Sequence, residues 1–273
     1  MRVGIFAKTF SGSDPLTVLS AAKRSGYDCV QYNFACSGLP SMPDHVPEAA
    51  IAAIAAARQA TGVDIAALSA TYNMIHPDVA VRRKGMASLE VAIATAARLA
   101  IPLVTLCTGT RDPDDQWRHH PDNASAAAWR DLVEEMSRAA ALAEAQGVHL
   151  GIEPEQANVV RDAADAQRLM KEVPSPALRI VLDPANLFEH ATADEARDIV
   201  ASAVDRLADR ISMAHAKDRS ADGAFATAGR GIVDFPDFIA RLRATGFDGP
   251  LVTHGLTAAE APEVSRFLKA IVA

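Results

Sequence analysis

The chain has 273 residues, 49% hydrophobic and 22% charged, with 15 glycines and 15 prolines spread along it; this balance excludes disorder and fibrous repeats. A net charge of −7 gives no basic field to hold a nucleic-acid backbone, so nucleic acid is not an expected partner. No run of about 18 apolar residues is free of charge, so no membrane span is expected. The three cysteines, Cys29, Cys36 and Cys107, form no paired framework or close doublet, which fits a reducing compartment better than secretion. The N-terminus, with one Arg and a short apolar stretch ending at Lys8, is unlike a signal peptide. A cytoplasmic location is the expectation.

Taken in chain order, short apolar runs begin near Arg2, Asp28, Val63, Pro102, Val148, Leu178, Ile211 and Gly249, eight in all. Between them lie Ala-rich stretches, such as 45–61, 78–99, 123–146 and 258–272, with apolar residues at three- and four-residue spacing, the helical period. Gly26, Gly62, Gly147 and Gly246 stand between a helical stretch and the next run, where a left-handed residue commonly ends a helix. Eight strand–helix units of about 34 residues match a (β/α)8 TIM barrel, which takes about 250 residues. The alternative, an open doubly wound sheet, calls for a Gly-rich loop after the first strand, and Thr9-Phe10-Ser11-Gly12-Ser13 is not one. With no linker or shift in composition, residues 1–273 read as one barrel domain.

Four of these runs end in a polar residue. In Val148–Glu153, alternation sends Val148, Leu150 and Ile152 toward the helices and Glu153 into the barrel mouth. Asp183 stands opposite Leu178, Ile180 and Leu182 in the same way; His215 shares a face with Ile211 and Met213, and His254 with Val252. Singly, each has an ordinary reading: an arginine pair for Glu153, a turn before Pro184 for Asp183, a buried hydrogen-bond donor for either histidine. Jointly, at corresponding ends of strands five to eight, two carboxylates and two imidazoles favour one divalent ion, with Mn2+, Mg2+, Co2+, Zn2+ and Fe2+ all compatible.

Several motifs resemble the xylose-isomerase-like barrel superfamily of sugar isomerases, epimerases and dehydratases, which includes the endonuclease IV branch. They are GIEPE at 151–155, VLDPANLF at 181–188, AHAKD at 214–218, Gly229-Arg230-Gly231 with Asp234-Phe235, and FDGPLVTHGL at 247–256. TYNMIHPD at 71–78 and LCTGTRD at 106–112 look like a subgroup of it. The resemblance implies that Glu153, Asp183 and His215 are metal ligands and that the last strand supplies a fourth, normally glutamate; here His254 stands at that position. Related ketose epimerases use the fifth- and eighth-strand glutamates as a symmetric proton-transfer pair, which this chain lacks. With His254 as ligand, two carboxylates, two neutral imidazoles and a divalent ion sum to zero charge, which makes a stronger Lewis acid. Asn186 replaces a frequent histidine; it can hydrogen-bond a substrate hydroxyl but cannot shuttle protons at neutral pH. Cys107 stands where the endonuclease IV pattern has a histidine, which disfavours a trinuclear site.

Glu155, two residues past Glu153, is the candidate replacement base, or else a solvent-facing carboxylate; Glu153 itself is a further candidate for proton exchange if its metal bond is loose. Lys217 either stabilises an enolate as a point charge or pairs with Asp218. Asn73 and His76 after the third strand and Arg111 after the fourth lie on the substrate rim, although His76-Pro77-Asp78 also reads as a helix start and Arg111 as a partner for nearby aspartates. Arg230 is either a cation for an anionic substrate group or part of a tight turn, with Asp234 as helix cap. Trp117 and Trp129 cap the mouth or pack beneath it, and His119-His120 reads as a solvated loop. The favoured function is metal-dependent isomerisation or epimerisation of a small keto-sugar or related polyol through an enediolate. The alternatives are dehydration of a keto-sugar or keto-inositol, an endonuclease IV-type phosphodiesterase, and a noncatalytic sugar-binding barrel. A small carbohydrate is the expected partner, and a homo-oligomer is compatible with such a barrel.

Overall fold

Short strands with two apolar faces must be covered on both sides, and a closed barrel ringed by helices does this. The computed structural model describes residues 1–273. Its barrel strands are β1 (Arg2–Phe6), β2 (Cys29–Tyr32), β3 (Asp64–Ser69), β4 (Leu103–Leu106), β5 (His149–Ile152), β6 (Leu178–Leu182), β7 (Ile211–Ala216) and β10 (Pro250–Thr253). They close in the order β1-β10-β7-β6-β5-β4-β3-β2, with every neighbouring pair parallel. Helices α1 (Pro15–Arg24), α2 (Glu48–Thr61), α3 (Val79–Arg98), α4 (Ala126–Gln146), α5 (Ala163–Glu172), α6 (Ala193–Leu207), α7 (Phe235–Ala244) and α8 (Ala261–Val272) lie between successive strands and after the last. A (β/α)8 TIM barrel is therefore the fold, and each expected strand start falls within one residue of the observed one. A small hairpin, β8 (Asp218–Arg219) with β9 (Phe225–Ala226), interrupts the repeat after β7.

The two faces of the strands supply two separate cores. Leu150, Ile152, Leu178, Ile180 and Leu182 join the 70-residue cluster that includes the helices. Ala67, Leu103, Val181, Met213 and Val252 form a second cluster of five, the apolar plug of the barrel. A Cβ on Gly151 would come within 2.7 Å of Val181 Cγ2, so β5 contributes no side chain at that level. Each buried Leu or Ile is worth about 1.5–3 kcal/mol, and a one-residue slip would exchange the faces. Register, and with it the direction of every strand-end side chain, is thus held by the core.

One detail departs from simple alternation. Ile180 pairs with Ile211 whereas Val181 pairs with Met213, so Ser212 is an extra residue in β7 and a local bulge. Ile211 belongs to the outer core and Met213 to the inner one; His215 follows Met213 alone. No helix is long and apolar enough to cross a membrane.

Candidate metal centre and substrate cavity

Stepping two residues beyond the plug along each strand reaches the mouth: Ala67 leads to Ser69, Leu103 to Thr105, Gly151 to Glu153, Val181 to Asp183, Met213 to His215 and Val252 to His254. Period two makes these the next inward positions. Four of them converge, since one ligand atom from each of Glu153, Asp183, His215 and His254 lies within 4.8 Å of all the others. His215 Nδ1 is 3.1 Å from Glu153 Oε1 and 3.6 Å from Asp183 Oδ2, and His254 Nε2 is 3.0 Å from the same Asp183 oxygen. The two rings meet edge to face at 4.5 Å.

Asp183 divides its oxygens between structure and site. Oδ1 accepts from Ala185 N at 2.9 Å and caps the 3-10 turn Pro184–Asn186; Oδ2 is left for the cluster. That turn brings Asn186 over Glu153, to which its Nδ2 donates at 2.7 Å, while its Oδ1 accepts from Lys217 Nζ at 2.5 Å. Lys217 also lies 3.2 Å from Asp183 Oδ2 and 3.9 Å from the Phe225 ring centre. Its partner is therefore Asp183 rather than Asp218. The Asp218 carboxylate instead accepts from the backbone N–H groups of Arg219, Gly229, Gly231 and Val233, at 2.8–3.0 Å, and so folds the loop after the hairpin. A Cβ at Gly231 would fall 2.3 Å from Asp218 Oδ1, which explains that glycine.

Burial by itself would push the Glu153 and Asp183 carboxyls up. The facing imidazoles, and for Asp183 first the Lys217 ammonium, hold both below the ordinary range, Asp183 well below. Burial also opposes charge on His215, but Glu153 and Asp183 outweigh it and raise the ring to about 9. Burial and then the His215 charge lower His254. Burial and then Glu153 raise Glu155 to about 7. The donor set suits a divalent cation: two carboxylates and one neutral imidazole face a common point, and one proton on His215 is left for an ion to displace.

Gln31, at the end of β2, was not anticipated. His215 Nε2 donates to its Oε1 at 2.9 Å, and its own Nε2 donates to Thr105 Oγ1 at 2.9 Å. With Nε2–H so engaged, Nδ1 is the nitrogen that faces the carboxylates. Gln31, Ser69 and Thr105 each stand two residues past an inner-face residue, so the rule that finds the four ionisable groups also finds these.

Above the cluster is a cavity of about 340 Å³ walled by Glu153, His215, His254, Phe6, Lys8, Gln31, Asn33, Ser41, Ser69, Thr71, Gln116 and Trp117. Glu155, Lys217 and Asn186 do not line it. The remaining rim candidates are engaged elsewhere. Asn73 Oδ1 accepts from the backbone of Thr110 at 3.0 Å and Ile75 at 3.3 Å. His76 Nδ1 accepts from Asp78 N at 3.0 Å, so Nε2 is the protonated nitrogen donating to Pro113 O at 3.0 Å. Arg111 donates to Asp131 at 2.6 Å and Ile75 O at 2.9 Å, and Arg230 pairs with Glu260 at 3.1 Å and Glu263 at 3.3 Å. Asp234 caps α7. Trp117 is at the mouth, whereas Trp129 donates to Glu172 under Arg168. His120 caps a 3-10 turn and His119 is exposed. The buried Cys107 thiol faces Tyr72 O, and burial pushes its pKa up.

The chain belongs to the xylose isomerase-like TIM barrel family, whose model matches residues 19–271. Among solved structures, it is similar to 3-keto-D-glucoside 4-epimerase from E. coli, at a TM-score of 0.78 and 17% identity over 99% of both chains. An L-ribulose 3-epimerase gives 0.78 and 19% identity over 99% of this chain and 94% of that one. The D-allulose 3-epimerase from Methylomonas sp. gives 0.74 and 19% over 99% and 98%. At these identities the likeness establishes the fold. No curated protein matches the sequence.

Proposed function

We propose that the protein is a divalent-metal-dependent isomerase or epimerase of a small keto-sugar or related polyol. The observation that carries the reading is the convergence of four ligand atoms within 4.8 Å of one another, with three of their residues, Glu153, His215 and His254, on the wall of a cavity otherwise rich in amides and hydroxyls. The sugar epimerases among the structural neighbours support it. Glu153, Asp183, His215 and His254 would hold the ion, which supplies a Lewis acid toward adjacent carbonyl and hydroxyl oxygens. Asn33, Ser41, Ser69, Thr71 and Gln116 are suited to bind and orient hydroxyls, and Trp117 to limit water at the mouth.

Of the three groups considered for proton transfer, Glu153 alone lines the cavity; it takes the carbon-bound proton in this reading, with Asn186 fixing its Oε1. Glu155, raised to about 7, lies in the range where a carboxyl exchanges protons at neutral pH, but it does not line the cavity. Lys217 acts as a fixed positive charge held by Asp183 and Asn186. His254, with its nitrogen turned to Asp183, serves as a neutral ligand and not as the missing carboxylate base. Incubating the metal-loaded protein with keto-sugars in D2O tests the reading. Carbon-bound deuterium should appear in substrate or product, and Glu153→Gln should abolish it. Metal-bound protein that incorporates none from any ketose or keto-inositol contradicts it, and loss of water with incorporation redirects it to dehydration.

A further inference from the structure

We propose that the substrate is a keto-sugar acid whose carboxylate is met by Lys8; this rests on the isomerase or epimerase reading above and narrows its substrate class. Lys8 lies in the short 3-10 turn Ala7–Thr9 directly after β1 and lines the cavity together with Glu153, His215 and His254. No other lysine or arginine lines it. Its ammonium forms no ion pair or hydrogen bond, whereas four other cations of the mouth are engaged: Lys217 with Asp183 and Asn186, Arg219 with two backbone carbonyls, Arg118 with Asp112 and Arg230 with Glu260.

Charge counting gives the same result. The two carboxylates of the centre would balance a divalent ion, the imidazole of His254 adds nothing, and the Lys217 ammonium, held by Asp183 and Asn186, does not line the cavity. Lys8, solvent-exposed at the edge of the cavity, is then the one charged side chain of its wall with no partner, and a cation in a cleft draws anions to it. One ammonium among neutral amides and hydroxyls suits a monoanion. Phosphate recognition typically draws on arginine forks or helix N-termini; no arginine lines the cavity, and the one N-capping asparagine in its wall, Asn33, spends its carbonyl oxygen on Ala35 N at 3.0 Å. The carboxylate end would sit at Lys8 and the carbonyl end at the four converging side chains.

The test is calorimetric titration of the metal-loaded protein and its Lys8→Met variant with 5-keto-D-gluconate, D-fructose 6-phosphate and D-fructose, each at low and high salt. The keto acid should bind at least tenfold more tightly than D-fructose, and salt should reduce that advantage. Lys8→Met should lose about ten- to a hundredfold for the keto acid, at least tenfold more than for D-fructose. Equal losses for acid and neutral sugar, tighter Lys8-dependent binding of the phosphate, or no binding of any of the three overturns the assignment. Lys8-dependent binding of the acid without metal-dependent deuterium exchange in it would instead leave the binding assignment standing and remove the isomerase reading.

Discussion

Two sectors of the barrel mouth carry similar complements of charged side chains and use them in opposite ways. After β3 and β4, Arg82, Arg111, Asp112, Arg118 and Asp131 pair with one another at 2.5–2.8 Å. After β5, β6, β7 and β10, Glu153, Asp183, His215 and His254 converge with no arginine among them. The difference lies in where the side chains start. In the first group Arg111, Asp112 and Arg118 sit on the loop after β4, and Arg82 and Asp131 on α3 and α4, so the loop folds back and the charges satisfy one another. The second sits on inner-face strand positions that the apolar plug aims at a common axis, so two carboxylates are forced together and a cation is the natural neutraliser.

Substitutions should separate the sectors. Asp183→Ala is expected to weaken divalent-ion binding by more than about a hundredfold, beyond the range typical of groups that only support ligands, as read by competition with a chromophoric chelator. Unchanged affinity in a folded variant would merge the sectors. The pH dependence is the next largest effect. His215 is raised to about 9 and must be neutral to ligate, so affinity should rise about tenfold per pH unit up to that value and then level off. A profile flat between pH 6 and 9 would mean that His215 is not displaced from its proton.

Gln31→Leu should weaken metal binding by about ten- to a hundredfold, because it removes the acceptor of His215 Nε2–H. Gln31→Glu keeps an acceptor there and should restore most of the loss. In 15N spectra of the metal-loaded protein, Nδ1 should be the ligating nitrogen; Nε2 ligation would rule out this role for Gln31. The smallest effect on the centre is expected from Arg111→Met, which should lower unfolding stability by about 1–3 kcal/mol, by leaving Ile75 O and part of Asp131 unpaired, while metal affinity stays within twofold. A large change in affinity would mean that the loop sector reaches the centre after all.

The sequence carried the parts of this arrangement that depend on local period. Strand starts, the faces of β5 and β6 and the four strand-end groups follow from alternation and from the need to bury Leu150, Ile152, Leu178, Ile180 and Leu182. Loop chemistry was harder to read. Whether Arg111 meets a ligand or Asp131 depends on how α4 packs against the β4 loop, and Asp218 accepts from residues up to 15 positions away. The bulge at Ser212 reflects the partner strand, and Gln31 is an amide with no titratable group to mark it in the sequence, although it serves His215.

The most direct test of the account is a crystal of the protein grown with Mn2+ and measured for anomalous scattering. The account predicts one strong peak per chain, within about 2.0–2.5 Å of side-chain atoms of Glu153, Asp183, His215 and His254, with the Nδ1 of His215 as its ligating nitrogen. A fully ordered cluster with no peak, or a peak held by other residues, would contradict it.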